Sequence, residues 1–196
     1  MGKIFYIMGK SASGKDHVYG QLLKKTSLGL KELVLYTTRP IRAGETDGKE
    51  YHFVDVETLK RLREEGKIIE ERSYDTIHGI WTYFTADDGK TDLEQFNYAA
   101  IGTLESYEKL KAYYGTDRIL PIYIEVEDGI RLERALMREK QQKEPKYKEF
   151  CRRFLADCED FSEENIQKAG ITRRFFNNTT LEVCLKEVED YIQSML

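Results

Sequence analysis

Cysteine is scarce: three in 196 residues, an odd number, too few for a disulfide-stapled scaffold. Cys151 and Cys158 stand two helical turns apart on an expected helix, Cys184 stands alone, and no Cys/His pair has metal-ligand spacing. All three read as ordinary reduced thiols. A basic surplus is missing too. Thirty-one Lys+Arg against 35 Asp+Glu give a formal net charge of −4, which argues against a nucleic-acid polymer as partner. A local arginine cluster around a small anion remains open. Long apolar runs are also absent. The opening MGKIFYIMG stops at a glycine, short of a signal h-region, and nothing approaches a membrane span, so the expected compartment is the cytoplasm. No Gly-x-Ser-x-Gly elbow suggests covalent hydrolysis, and there is no repeat, low-complexity tract or linker.

What is present is an ordinary globular composition, 40% hydrophobic and 34% charged, in a chain long enough to bury one continuous core. Strand-like and helix-like segments alternate. Lys3–Met8, Leu33–Thr37, Glu50–Val54, Ile68–Glu71, Trp81–Phe84, Tyr98–Ile101, Ile119–Glu125 and Arg174–Asn177 carry the apolar, β-branched and aromatic character of strands. Helices are expected at Asp16–Lys25, Val56–Glu65 behind an Asp55 cap, Glu105–Tyr113, Asp128–Gln142, Tyr147–Asp160, Ser162–Ala169 and Leu181–Met195. Pro145 ends the fourth of these. The alternation implies an α/β fold with a mostly parallel sheet, and 37–85 reads as a small α+β insertion.

Gly9-Lys10-Ser11-Ala12-Ser13-Gly14-Lys15-Asp16 follows a strand and opens a helix. In a G-x-x-x-x-G-K loop the backbone N–H groups, helped by the helix N-terminus, wrap a phosphate. Lys15 then reaches the β- and γ-phosphates of ATP. Asp16 stands where Ser or Thr usually ligates Mg²⁺. A carboxylate is a hard oxygen donor and also suits a helix N-terminus, so it reads either as a Mg²⁺ ligand or as a dipole partner. His17 is next on the helix and reads as a structural helix-face position or a phosphate neighbour. His52, between Tyr51 and Phe53, reads as surface or packing.

The second motif is Thr37-Thr38-Arg39-Pro40-Ile41-Arg42-Ala43-Gly44-Glu45-Thr46-Asp47-Gly48-Lys49-Glu50-Tyr51-His52-Phe53-Val54. It closely resembles the guanylate kinase family, whose members carry TTR-x-x-R-x-G-E-x-x-G-x-x-Y-x-F here. Two guanidinium forks and a phenol suit a bidentate hold on an acceptor phosphate. The resemblance implies a P-loop NTPase three-layer fold with a mostly parallel sheet. It implies a single domain over 1–196, with core segments 1–36, 86–130 and 160–196. An acceptor-binding subdomain would lie at about 37–85 and a helical lid at about 131–159. The implied activity is transfer of the ATP γ-phosphoryl group, with Mg²⁺, to a nucleoside monophosphate, GMP first. The implied partners are small-molecule nucleotides.

By the same resemblance Arg39, Arg42, Tyr51, Glu70 and His78 bind the acceptor, with Glu70 reading the purine base. Arg134, Arg138 and Arg153 belong to the lid, and Asn177 lies beside the adenine. Lys15, Arg39, Arg138 and Arg153 would be catalytic through positioning and charge neutralisation. Gly9, Ser11, Ala12, Ser13, Gly14 and Asp16 complete the ATP site. Several positions depart from the family. Leu35 replaces a serine, and Ile77-His78-Gly79-Ile80-Trp81 stands for Y-Y-G-x-S/T. Ala100 and Gly102 stand where D-x-D is expected. The phosphate clamp is therefore kept while the base reader is eroded. A kinase resembling ribose 1,5-bisphosphate phosphokinases, which share the GKD ending, is the alternative. A non-catalytic phosphopeptide-binding module is a third reading.

Overall fold

The computed structural model describes residues 1–76 and 79–196. Its main sheet is built from β1 (Ile4–Met8), β2 (Leu30–Glu32), β7 (Asn97–Gly102), β8 (Ile119–Glu125) and β9 (Arg174–Phe176), in the order β2-β7-β1-β8-β9. Every pairing in it is parallel. Central β1 is buried along its whole length, as a parallel strand covered on both faces must be. Its side chains alternate between two cores. Ile4, Tyr6 and Met8 face α3 (Leu104–Tyr114) and α6 (Glu163–Lys168), while Phe5 and Ile7 face α1 (Lys15–Lys24) and α7 (Leu181–Met195). Helices on both faces of a parallel sheet make the three-layer α/β arrangement.

A second sheet stands apart, in the order β4-β3-β6-β5. Its members are β3 (Tyr36–Thr37), β4 (His52–Phe53), β5 (Ile68–Thr76) and β6 (Gly79–Ala86). Helix α2 (Val56–Glu64) packs its Leu59 and Leu62 against Phe84 and Tyr36 there. Its Asp55 cap accepts from the Thr58 N–H at 2.8 Å, the expected cap. The remaining helices are α4 (Asp128–Lys140) and α5 (Tyr147–Asp160). Among the described residues no helix is long and apolar enough to cross a membrane.

Three expectations change. The strand expected at Glu50–Val54 pairs only over His52–Phe53. The apolar run Leu33–Thr37 is not one strand. Leu33 still donates to the Ala99 carbonyl at 2.9 Å, and the chain then leaves the main sheet for the second one, so only Tyr36–Thr37 pairs there. Such a crossing between sheets leaves no mark on hydropathy. The short strands expected at Ile68–Glu71 and Trp81–Phe84 are instead parts of one long antiparallel pair, Ile68–Thr76 against Gly79–Ala86. Its polar outer half, Arg72 to Thr76, hid the pairing from an apolar pattern.

Candidate active site

Between β1 and α1, Gly9–Asp16 curls into a loop whose shape depends on glycine. Gly14 sits at φ +87°, where a Cβ would lie 2.6 Å from Asn177 Nδ2. A Cβ at Gly9 would lie 2.5 Å from the Ile124 carbonyl. Ala12 also takes the left-handed region, at φ +63°, a conformation that costs an alanine about 1–2 kcal/mol. The loop is braced from behind. Ser13 is buried and donates its N–H to the Lys10 carbonyl at 3.1 Å, and Asn177 Nδ2 donates to the Ser13 carbonyl at 2.9 Å. Asn177 thus stands behind the loop, with its own Oδ1 buried and unpartnered among the described residues. Lys15 Nζ lies 3.3 Å from Asp16 Oδ2, and the Asp16 side chain is 77% exposed. His17 is exposed.

The residues expected to clamp the acceptor are anchored. Arg39, 4% exposed, holds Glu45 with both terminal nitrogens at 2.8 and 2.7 Å and also donates to the Pro40 carbonyl. That bidentate pair, with the Arg42 N–H at 2.8 Å, pulls the Glu45 carboxyl down to about 2. Glu45, Tyr83 and their charges raise Arg39, so it stays a cation. Arg42 is exposed, its guanidinium 6.0 Å from the Trp81 ring. Tyr51 and Tyr83 meet edge to face at 5.5 Å beside Arg39. His52 instead packs on Tyr36 at 4.6 Å, a packing role. His78 lies outside the described residues.

Glu70 is not presented to the cleft. Its side chain is fully buried and accepts from Thr85 Oγ1 at 3.0 Å, Ser106 Oγ at 3.0 Å and Arg72 Nε at 3.2 Å. Arg72, two residues on and therefore on the same strand face, is what reaches the open space. Where the family's second aspartate would stand, a Cβ at Gly102 would meet Tyr6 Oη at 2.1 Å. Burial drives that phenol far above its ordinary range, so it stays neutral. Ala100 is buried in β7.

The two halves open on one space. A cavity of about 430 Å³ is lined by Lys15 and Asp16 of the loop, by Tyr51 just before β4, by Tyr83 and Arg72 of the second sheet, and by Asp157 of α5. A neighbouring cavity of about 730 Å³ shares Arg72, Tyr74, Thr103 and Asp160 with it. The lid residues are arranged differently from the expectation. Arg138 and Arg153 line a small space beside Ser11 but are exposed, and Arg153 pairs with Glu149 at 3.6 Å. Arg134 is half-buried and lines none of these three spaces.

The arginine that touches the loop is Arg131, 1% exposed. It donates to Asp128 at 2.9 Å, stacks 4.0 Å from the Phe154 ring, and lies 3.4 Å from both the Ser11 carbonyl and Asp157. Asp157 in turn accepts from the Ser11 N–H at 2.7 Å. Sequence reading missed Arg131, Asp157 and Arg72. Only Arg72 left a trace, as a cation one strand period from Glu70.

Comparisons with known proteins agree with this layout. A sequence model of the guanylate kinase family matches residues 1–80. Guanylate kinase of Chromohalobacter salexigens is 39% identical over 79 residues, 40% of this chain and 36% of that protein. Guanylate kinase of Anaplasma phagocytophilum is 41% identical over 81 residues, 41% of this chain and 39% of that one. The matched stretch thus spans little more than a third of these relatives. The crystal structure of the Anaplasma phagocytophilum guanylate kinase superposes with a TM-score of 0.64 at 17% identity, over 98% of this chain and 85% of that one.

Proposed function

From the premise that its first 80 residues match the guanylate kinase family and its whole chain has that fold, we propose that this protein transfers the γ-phosphoryl group of ATP to a nucleoside monophosphate, GMP in the first place. One observation carries the reading: Lys15 of the phosphate loop and Tyr51 of the arginine clamp line a single cavity. In-line transfer needs donor and acceptor phosphates in one space, with cations on both sides. The loop amides and Lys15 hold the donor. The open Arg42 with Tyr51 holds the acceptor phosphate, and Arg39, its terminal nitrogens taken by Glu45 and the Pro40 carbonyl, braces the clamp from behind. Arg138 and Arg153, beside Ser11, supply charge from the lid.

Mg²⁺ fits the donor set. Asp16, Asp157 and Asp160 line the cleft with hard oxygens, and among the described residues no three ligand side chains could hold a metal alone. One or two carboxylates beside substrate phosphates and water is how Mg²⁺ is ordinarily held. Asp16, with Asp157 and Asp160 near it, would hold the ion, which would supply charge neutralisation to the phosphates. The same reading places the enzyme in the cytoplasm, with small nucleotides as partners.

The test is a coupled ADP-release assay with ATP and Mg²⁺ against GMP, AMP, dGMP, CMP, UMP and ribose 1,5-bisphosphate. Turnover with GMP, reduced about 10²–10³-fold in Lys15→Ala, is the expected result. Turnover with ribose 1,5-bisphosphate alone would move the protein to a sugar-phosphate kinase. Silence of the folded protein across the panel would remove the kinase reading.

A further inference from the structure

A guanine base offers donors, N1–H and the 2-amino group, on one edge and acceptors, O6 and N7, on another. A carboxylate reader takes the donor edge. Here the carboxylate expected in that role has no free face: Glu70 is fully buried and accepts from three side chains. The second place for a carboxylate is closed as well, because Tyr6 fills the space a side chain at 102 would need. What faces the cleft is Arg72. Its Nε is spent on Glu70, and one terminal nitrogen makes a long 3.4 Å contact to Thr103 Oγ1. The other has no hydrogen-bond partner among the described residues, and Arg72 borders both cavities. Glu70 thus holds the guanidinium in place instead of receiving a ligand. The remaining carboxylates of the smaller cavity, Asp16, Asp157 and Asp160, come from the loop and from α5. The larger cavity is also bordered by Glu71, Glu105, Glu108 and Asp160, so the change is local: at the reader's own place a buried acceptor is replaced by a donor that faces the open space.

We propose that Arg72 reads the acceptor base through its 6-oxo oxygen, so that the pocket takes 6-oxopurine monophosphates as a class and leaves the 2-amino group unread. This rests on the phosphoryl-transfer reading above. Arginine is the side chain best shaped for the guanine O6/N7 edge. A 6-amino group, as in AMP, would turn a donor toward a donor and be rejected.

The experiment is steady-state kinetics of the intact protein at saturating ATP and Mg²⁺ with GMP, IMP and AMP. The expected result is kcat/KM for IMP within about tenfold of that for GMP, with AMP lower by about 10²-fold or more. A reader that hydrogen-bonds the 2-amino group would reject IMP far more strongly, so an IMP deficit beyond tenfold overturns the proposal. If GMP turns over and IMP does not, this inference falls alone; if GMP does not turn over, the activity reading falls and takes this one with it.

Variants separate reading from mere support. Glu70→Gln/Arg72→Met removes the pair together, so no buried carboxylate is stranded. It should lower kcat/KM for GMP and IMP about 5- to 100-fold, flatten the preference over AMP and leave the KM for ATP unchanged. Arg72→Lys should restore part of the loss. A folded double variant that keeps the 6-oxo over 6-amino preference also overturns the proposal.

Discussion

The glycine loop and the proposed acceptor pocket face one another across the same cleft, yet they are made of different material. The loop is backbone: amides and carbonyls held in place by Gly9 and Gly14, with Lys15 as the one side chain that must be itself. The pocket is side chains: Arg39 on Glu45, Glu70 on Thr85, Ser106 and Arg72, Tyr6 against Gly102. A backbone site survives wide change in its neighbours because few residues define it. A side-chain site can be re-aimed by one substitution while the fold stays put. The comparisons do not separate the two: the family model matches residues 1–80, which contain the loop as well as Arg39, Glu70 and Arg72, while the fold persists over the chain at 17% identity.

The largest effect expected tests whether the loop is backbone alone. Arg131 ties it to α4 and α5, and Arg131→Met would leave Asp128 and Asp157 without their shared cation. Removing one partner of a buried pair costs 3–5 kcal/mol; because Asp128 is half exposed here, about 2 kcal/mol is expected. Urea unfolding measures it, and the additional change Asp157→Asn should recover part. No loss of stability would mean the loop stands without that support.

Next is Gly14→Ala, which attacks the backbone directly. Strain in the left-handed region, about 1–2 kcal/mol, and the collision with Asn177 should weaken ATP binding at least tenfold, read by calorimetry. Acceptor binding should stay unchanged. If both affinities fall together, the two halves are not separable in the way described.

The smallest effect lies in the clamp and depends on pH. Glu45 has its carboxyl lowered from an ordinary 4.5 to about 2 by Arg39 and the Arg42 N–H. A lowered carboxyl contributes stability that is present above its unfolded value and lost as pH falls through the folded one. Wild type should therefore exceed Glu45→Gln in unfolding midpoint at pH 6, with the gap closing between about pH 4.5 and 2. A gap independent of pH would show that shape, not charge, holds Arg39.

How far the sequence carried the argument follows the same division. Helices α5 and α7 match their expected ranges residue for residue, because amphipathic spacing survives in the pattern. The loop was legible because glycine spacing is itself the mechanism. The crossing at Leu33–Leu35 and the polar half of the β5–β6 pair were not, since neither changes hydropathy. Glu70 was legible as a residue but not in its role: only the folded chain shows that its oxygens are already taken. Arg131 and Asp157 meet the loop from positions more than a hundred residues away, and no local spacing announces such a contact.

The contact between Tyr6 and Gly102 has a consequence for substitution order. Restoring an aspartate at 102 alone drives its Cβ into the Tyr6 hydroxyl. Shrinking Tyr6 alone opens a void beside Tyr107 and removes a neighbour of Ser106. Each single step is worse than either end, so the two positions behave as one unit of inheritance. A carboxylate reader can be regrafted only by exchanging both together.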